Sequence, residues 1–204
     1  MLQYGAVHQA TLELLRELSS LDEIKDFSLA GGTALALHLG HRISVDLDFF
    51  SERPFDETKL LTKLRSLLSP VNILTQSENS LNLFIREIRT DFLSHQYKKC
   101  KPIKKVDGIS LFAIEDIAAM KLSAVASRGT KKDFYDIYFI LQEFSLPEIF
   151  SFMNQKYPDL NQLQVLMSLT YFDDAENSLE PVILKPVDWH AVKEFLAEVV
   201  RNFS

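Results

Sequence analysis

The chain has 204 residues with 22 basic and 28 acidic side chains, a formal net charge of −6. A hydrophobic content of 47% with 25% charged residues excludes wholesale disorder, and this length suits one globular domain or a core with a small appendage. The single cysteine, Cys100, excludes an internal disulfide framework, and no apolar run reaches the length of a membrane span. Without a secretion signal at the amino terminus, we expect a cytoplasmic protein that does not bind membranes.

The first part of the chain alternates between helical and extended patterns. An amphipathic helix is expected over 7–18, before a short apolar run at 27–32 that turns at two glycines into a helix ending at Gly40. The alternating segment VDLDFF predicts a strand at 45–50, and a second amphipathic helix is expected over 56–68.

Shorter extended segments follow, and then helices alone. Runs broken by polar residues predict an antiparallel meander at 71–74, 81–86 and 88–95, and a lysine-rich stretch leads to GISLF at 108–112. The remaining helical patterns cover 114–127, 131–143, 147–155, about 160–169 and 188–203. This order predicts an α+β fold, with a mixed sheet and flanking helices in 1–112 and a mostly helical C-terminal region in 113–204.

Two aspartates one residue apart mark the strand at 45–50. Asp46 and Asp48 leave the same face of an extended strand, where they repel each other unless a cation lies between them. Such oxygen ligands suit Mg²⁺ bound together with phosphates, and Asp91 on a later strand could supply a third carboxylate. Three carboxylates could hold two divalent ions. The alternative for this pair is a solvated strand edge or turn.

A glycine turn precedes these aspartates. At Gly31 and Gly32 the backbone can approach a phosphate closely, and the next helix offers free N–H groups with the Thr33 hydroxyl beside them. The turn is neither a P-loop nor a dinucleotide fingerprint, since it lacks Gly-Lys-Ser/Thr and a third glycine. A structural turn is the alternative, but Gly-Gly-Thr followed 12 intervening residues later by Asp-Leu-Asp favours a phosphate and metal site.

A second polar cluster lies on predicted helices. Lys121 and Arg128 are seven residues apart, close to two helical turns, so one helix face could present both cations to a triphosphate. A solvated helix face is the alternative. Asp133 and Asp136 lie at the start of the next helix, where Thr130 and Asp133 also fit a capping box.

A resemblance to a known family rests on two segments. Residues 29–50 read LAGGTALALHLGHRISVDLDFF and resemble the nucleotidyltransferase superfamily with a polymerase-β-like core, specifically the AbiEii/AbiGii toxin family. Residues 115–141 are similar to a Lys…Arg…Lys/Arg-Asp-x-x-Asp block of that family. The resemblance covers about 27–141 and implies a nucleotidyltransferase-like sheet.

The resemblance also implies a reaction, the transfer of a nucleoside monophosphate from an NTP to a hydroxyl. It implies active-site roles for Lys121 and Asp133 and nucleotide-binding roles for Arg128 and Asp136. Arg42 either faces the nucleotide or packs beside the loop before Asp46. In this mechanism the three carboxylates hold Mg²⁺, and the Gly-Gly-Thr turn holds the β- and γ-phosphates.

The acceptor hydroxyl stays open at the level of sequence. Resemblance to toxin-type transferases implies tRNA, at its 3′ end, and a cognate antitoxin from a bacterial toxin–antitoxin or phage-defence system. Nucleotidylation of a protein hydroxyl is one alternative, and a catalytically silent nucleotide- or partner-binding module is another. The presence of Asp46, Asp48 and Asp91 together argues against a silent module.

The net charge of −6 is unevenly distributed. Residues 86–105 carry seven basic and two acidic side chains, and residues 121–132 carry four basic and no acidic ones. Both segments adjoin predicted site residues, so a local positive surface could attract NTP and an RNA end. The acidic remainder opposes indiscriminate binding, and no DNA partner is expected. The alternative for the lysines of 98–105 is a solvated face.

Overall fold

The computed structural model describes residues 1–203 and contains one seven-stranded mixed sheet. In chain order its strands are β1 (Phe27–Leu29), β2 (Leu47–Ser51), β3 (Val71–Ser77), β4 (Ser80–Ile85), β5 (Ile88–Ser94), β6 (Lys104–Val106) and β7 (Ile109–Leu111). The order across the sheet is β3-β4-β5-β2-β1-β7-β6. β2 is parallel to β5 and β1 is parallel to β7, and the other neighbours are antiparallel.

Helices flank this sheet and make up most of the chain after β7. They are α1 (Gln9–Ser19), α2 (Gly31–Leu39), α3 (Glu57–Leu67), α4 (Ile114–Ser127), α5 (Lys131–Ile140), α6 (Leu146–Lys156), α7 (Gln162–Ser168), α8 (Asp173–Glu176) and α9 (Trp189–Phe203). No helix in residues 1–203 combines the length and the apolar character needed to cross a lipid bilayer.

Side chains along β2 alternate between the buried core and the opposite face of the sheet. Leu47 and Phe49 are buried, and Phe49 stacks on Phe92 of β5 with ring centroids 5.4 Å apart. Asp48 and Phe50 leave the opposite face, as the period of two in a strand requires. The short helix α2 is buried along its apolar stretch, packs against β2 and α4, and ends at Gly40 with φ of +62°.

The α+β class, the mixed sheet and the helical C-terminal region are confirmed. The expected meander is β3-β4-β5, and α4 has the predicted bounds. Two elements were not expected: the edge strand β6 in the lysine-rich stretch, and the short helix α8. The division into units at residues 112 and 113 stays a prediction.

Candidate active site

Two of the predicted carboxylates meet at the centre of the sheet. β2 and β5 are parallel neighbours, and Asp48 lies in register with Asp91. Both residues line a cleft of about 920 Å³ between the sheet and α4. Asp46 also lines the cleft. It lies just before β2, whereas the sequence pattern predicts that it lies within the strand.

Asp48 has the most perturbed carboxylate in this cleft. Burial, followed by the charge of Asp91, raises the pKa of Asp48 to about 6, although Lys121 opposes the shift. The folded protein therefore disfavours the anion of Asp48 when the cleft holds no added positive charge. A divalent cation next to Asp48 and Asp91 would supply that charge.

The glycine turn makes room for charged side chains of the site. Gly31 has φ of +62°, and a Cβ atom there would overlap the carboxylate of Asp48. A Cβ atom on Gly32 would overlap the guanidinium of Arg42. Both glycines line the cleft, so the start of α2 lies directly against Asp48 and Arg42.

Thr33 lies behind the turn and outside the cleft lining. It is 1% exposed, its Oγ1 is 2.8 Å from Oγ of Ser44, and its hydroxyl also contacts the carbonyl oxygen of Asp46. These contacts tie α2 to the segment before β2 and occupy the hydroxyl. We therefore assign Thr33 a role in holding the turn, in place of the predicted contact with phosphate.

Lys121 and Arg128 both reach Asp133, and both line the cleft. Lys121 Nζ is 2.9 Å from Oδ1 of Asp133, and Arg128 Nε is 3.1 Å from Oδ2. Burial alone would raise the pKa of Asp133, but Lys121 and Arg128 outweigh it and hold that pKa below its usual range. The Thr130 hydroxyl donates to Asp133. No backbone N–H of α5 donates to the Thr130 side chain, so the expected capping box does not form.

Asp136 gathers three basic side chains. It accepts hydrogen bonds from Arg42 Nε at 2.7 Å and from His41 Nε2 at 2.6 Å, and Lys121 Nζ lies 2.6 Å from its Oδ2. Burial would raise the pKa of Asp136, but Arg42 and Lys121 hold it well below its usual range. Asp133 and Asp136, here called the buried carboxylate pair, lie behind the cations and outside the cleft lining.

The carboxylates of the cleft are the candidate ligands of a metal ion. Within residues 1–203, no group of three or more His, Cys, Asp or Glu side chains is arranged to hold a metal ion. The predicted trio is therefore not assembled. Arg89 pairs with Asp91 at 3.0 Å, and Lys132 Nζ lies 3.8 Å from Asp46. The donor chemistry still fits a divalent cation at Asp48 and Asp91, since these carboxylates lie on adjacent strands and the charge of Asp91 raises the pKa of Asp48.

The cleft is charged on one side of Asp48 and apolar on the other. Asp46, just before β2, precedes Asp48, and Phe50 follows Asp48 on the same strand face. Along α4, Ile117 precedes Lys121. The charged side is lined by Gly31, Gly32, Arg42, Lys121 and Arg128, and the apolar residues Ile43, Val45 and Val182 lie there as well. The apolar side is lined by Phe50, Leu93, His95, Ile117, Met120 and Tyr157.

Arg89 and the segment 178–182 are among the cleft residues that sequence reasoning missed. Arg89 lies two residues before Asp91 on the same strand face, a spacing that was visible in the sequence. The C-terminal segment 178–182 forms one wall, held where Ile43 N donates to Val182 O at 2.9 Å. No local pattern marks that wall, because its partners are far apart in the chain.

Comparisons with known proteins agree with this geometry. A family model described as nucleotidyl transferase AbiEii toxin, type IV TA system, matches residues 13–101 and 85–202. An uncharacterized protein of Aquifex aeolicus (strain VF5), aq_aa25, is 36% identical over 197 residues, which cover 94% of each chain.

Solved structures show the same fold. MenT4, a nucleotidyltransferase toxin from Mycobacterium tuberculosis H37Rv, superposes with a TM-score of 0.60 at 17% identity, covering 94% of this chain and 80% of that one. JHP933 from Helicobacter pylori gives a TM-score of 0.54 at 16% identity, covering 96% and 92%. Because the family matches span nearly the whole sequence, the chain belongs to the AbiEii family of nucleotidyltransferase toxins and is a nucleotidyltransferase.

Proposed function

We propose that this chain transfers a nucleoside monophosphate from an NTP to the 3′ hydroxyl of an RNA, with tRNA as the preferred acceptor. We place this activity in a bacterial toxin–antitoxin or phage-defence system with a cognate antitoxin. The observation that carries the proposal is the register of Asp48 with Asp91 in a cleft that also holds Lys121 and Arg128.

The charged side of the cleft would bind the triphosphate. Gly31 and Gly32 at the start of α2, together with Arg42, Lys121 and Arg128, line it, so backbone N–H groups of the turn and three cations would bind phosphate oxygens. Negative charge accumulates on the phosphoryl oxygens as the bond to pyrophosphate breaks, and these cations would stabilise it. Lys121 is 6% exposed, so its charge acts with little screening by water.

The buried carboxylate pair would act by positioning. Asp136 orients Arg42 and Lys121, and Asp133 orients Lys121 and Arg128. Cations that are already in place when charge develops cost no reorganisation during the reaction. Asp133 and Asp136 would therefore support the nucleotide site without touching the nucleotide.

Asp48 and Asp91, completed by Asp46, would hold Mg²⁺, as one ion or two. When bound, Mg²⁺ would supply positive charge to the phosphates and to the acceptor hydroxyl. Arg89 must release Asp91 for this role, and its side chain is 52% exposed, so it can turn into solvent. Asp91 would then orient the acceptor hydroxyl and accept its proton.

A labelling experiment tests the reaction and its acceptor class. Wild-type protein and Asp48→Ala are incubated with Mg²⁺, each labelled NTP, total tRNA and total protein. We expect label on RNA from the wild type and a loss of at least about 100-fold in Asp48→Ala, since a main site of charge stabilisation is removed. Asp26→Ala, an exposed aspartate before β1, is the matched control and should transfer normally.

Two results would contradict the proposal. Transfer at the wild-type level by folded Asp48→Ala would exclude this carboxylate from the chemistry. Label found on protein and absent from RNA would exclude an RNA acceptor while leaving nucleotidyl transfer intact.

A further inference from the structure

The apolar side of the cleft ends in a group of aromatic side chains that phosphate binding does not use. We call Phe50, His95, Tyr97 and Tyr157 the aromatic cluster. The rings of Phe50 and His95 stack at 4.9 Å, and the Tyr97 ring lies 4.8 Å from both His95 and Tyr157. Tyr157 lines the main cleft and also a smaller recess of about 280 Å³ next to Tyr97, so the two spaces adjoin.

The aromatic cluster presents flat, uncharged surfaces. Tyr97 is 53% exposed although it is a large aromatic residue. Burial, followed by the charge of Lys156, lowers the pKa of His95 to about 4, so its ring is neutral at physiological pH. Neutral aromatic faces beside a cleft are suited to stacking on a nucleobase.

The segment that carries Tyr97 is held by a buried ion pair. Asp116 accepts hydrogen bonds from the backbone N–H groups of Cys100 and Lys101, each at 3.0 Å. Lys156 Nζ lies 2.9 Å from Asp116, and both side chains are fully buried. A surface segment fixed in this way loses little freedom when a ligand binds.

The chemistry of transfer indicates which ligand reaches this side. The acceptor oxygen bonds to the α-phosphorus while the bond from that phosphorus to the pyrophosphate oxygen breaks, and the hydroxyl proton passes to Asp91. Attacking and leaving oxygens lie roughly in line. With the leaving pyrophosphate on Arg42, Lys121 and Arg128, as proposed, an in-line acceptor would enter from the side of Phe50 and His95.

We infer that the aromatic cluster binds the 3′-terminal nucleobase of the acceptor RNA, with Lys98 and Lys101 contacting the phosphates that precede it. Both lysines are exposed and lie on the same segment as Tyr97. This inference rests on the proposed transfer to an RNA 3′ end. Stacking tolerates different bases because every base has a π face, so the subsite selects a single-stranded end more than a sequence.

The test measures RNA binding without chemistry. A 12-nucleotide single-stranded RNA with a 5′ fluorescein and a free 3′ hydroxyl is titrated with wild type, Tyr97→Ala, Tyr97→Phe and Tyr171→Ala, without NTP. Tyr171 is the matched control, a tyrosine that is 55% exposed and lies outside the cleft lining. We expect Tyr97→Ala to raise Kd about tenfold, the effect of losing one base stack, and the other two variants to bind like the wild type.

A second RNA separates an end subsite from general strand binding. A blunt hairpin, whose 3′ base is paired, should bind more weakly and should be insensitive to Tyr97→Ala. The inference is overturned if the wild type does not bind the single strand, if Tyr97→Ala matches Tyr171→Ala, or if the hairpin is equally sensitive. It is also overturned if Tyr97→Ala weakens NTP binding in place of RNA binding.

The transfer assay distinguishes failure of this inference from failure of the proposed function. Labelled RNA from the wild type, together with unchanged RNA binding by Tyr97→Ala, overturns only the subsite. Label that goes to protein overturns the RNA acceptor itself, and the subsite with it.

Discussion

At the scale of single residues, Asp48 is costly to the fold. Burial and Asp91 raise the pKa of Asp48 to about 6, above an unfolded value near 3.8. Between these two pH values the folded chain binds more protons than the unfolded chain, so the free energy of unfolding decreases as pH rises through that window. At neutral pH the protein therefore holds an ionised Asp48 at the expense of stability.

Replacing this charge should stabilise the metal-free protein and abolish transfer. We expect Asp48→Asn to raise the free energy of unfolding by about 1–2 kcal/mol at pH 7.5, because the buried charge is removed. Urea unfolding in EDTA measures the change. The gain should vanish below about pH 3, where Asp48 is protonated in both states. A gain that is the same at both pH values would show that the charge is not its source.

Substitution of Gly31 should reduce transfer activity more than substitution of Gly108, a glycine that also has a positive φ. Gly31→Ala and Gly108→Ala both place alanine at positive φ, which costs about 1–2 kcal/mol. A Cβ atom on Gly108 meets nothing within 4 Å, whereas one on Gly31 overlaps Asp48. We expect Gly31→Ala to lose transfer activity, measured with labelled NTP, while Gly108→Ala keeps it. Equal activity in the two variants would contradict the role of this close approach.

At the scale of elements, the buried carboxylate pair joins the segment between α2 and β2 to α4 and α5 through charge. Asp136 is fully buried, and its partners Arg42 and Lys121 are at most 6% exposed. His41 Nε2 also contacts Asp136, and burial lowers the pKa of His41, so its neutral ring donates that hydrogen bond. These contacts fix the cations of the cleft to the helices behind it.

Removing the centre of this network should damage the fold. Asp136→Ala removes the paired carboxylate of the buried Arg42 and one of the two carboxylates that contact Lys121, and we expect it to lower the free energy of unfolding by about 3–5 kcal/mol. Asp174→Ala, an exposed aspartate in α8, should change it by less than about 0.5 kcal/mol. Urea unfolding of both variants measures the difference. A small effect of Asp136→Ala would contradict a buried, fully paired carboxylate.

The elements also show what local sequence patterns can and cannot predict. Helix α4 was predicted with its observed bounds. The positions of Asp48 and Asp91 on strands were also predicted, because the alternation of residues along a strand is a local pattern. Strand β6 was not predicted, because its segment is rich in lysine. Asp107 and Gly108 nevertheless form a two-residue turn with positive φ, which is a signal for a hairpin. The contact of Arg42 with Asp136 joins residues 94 apart, which no periodicity reveals.

Long-range packing also sets the acidity of the Cys100 thiol. The lysines beside Cys100 in the sequence would by themselves favour its thiolate. In the structure, burial, followed by the charge of Asp116, raises the pKa of the Cys100 thiol to about 11. Asp116 lies 16 residues away and reaches the backbone of Cys100 through the fold.

At the scale of the whole molecule, part of the positive charge lies close to the cleft. The net charge is −6, but the basic segment 98–101 lies next to the apolar side of the cleft, where Tyr97 and Tyr157 meet. Triphosphate and RNA would thus approach the carboxylates from opposite sides. Acidic side chains elsewhere oppose binding along the length of a nucleic acid.

The most direct test of this account follows the 3′ end of the RNA itself. tRNA with an intact end, and the same tRNA with its terminal diol oxidised by periodate, are incubated with protein, NTP and Mg²⁺ and resolved at single-nucleotide resolution. We predict extension of intact tRNA by the wild type, and no extension of oxidised tRNA or by Asp48→Ala. Equal labelling of oxidised tRNA, or label on protein alone, would contradict transfer to an RNA 3′ hydroxyl.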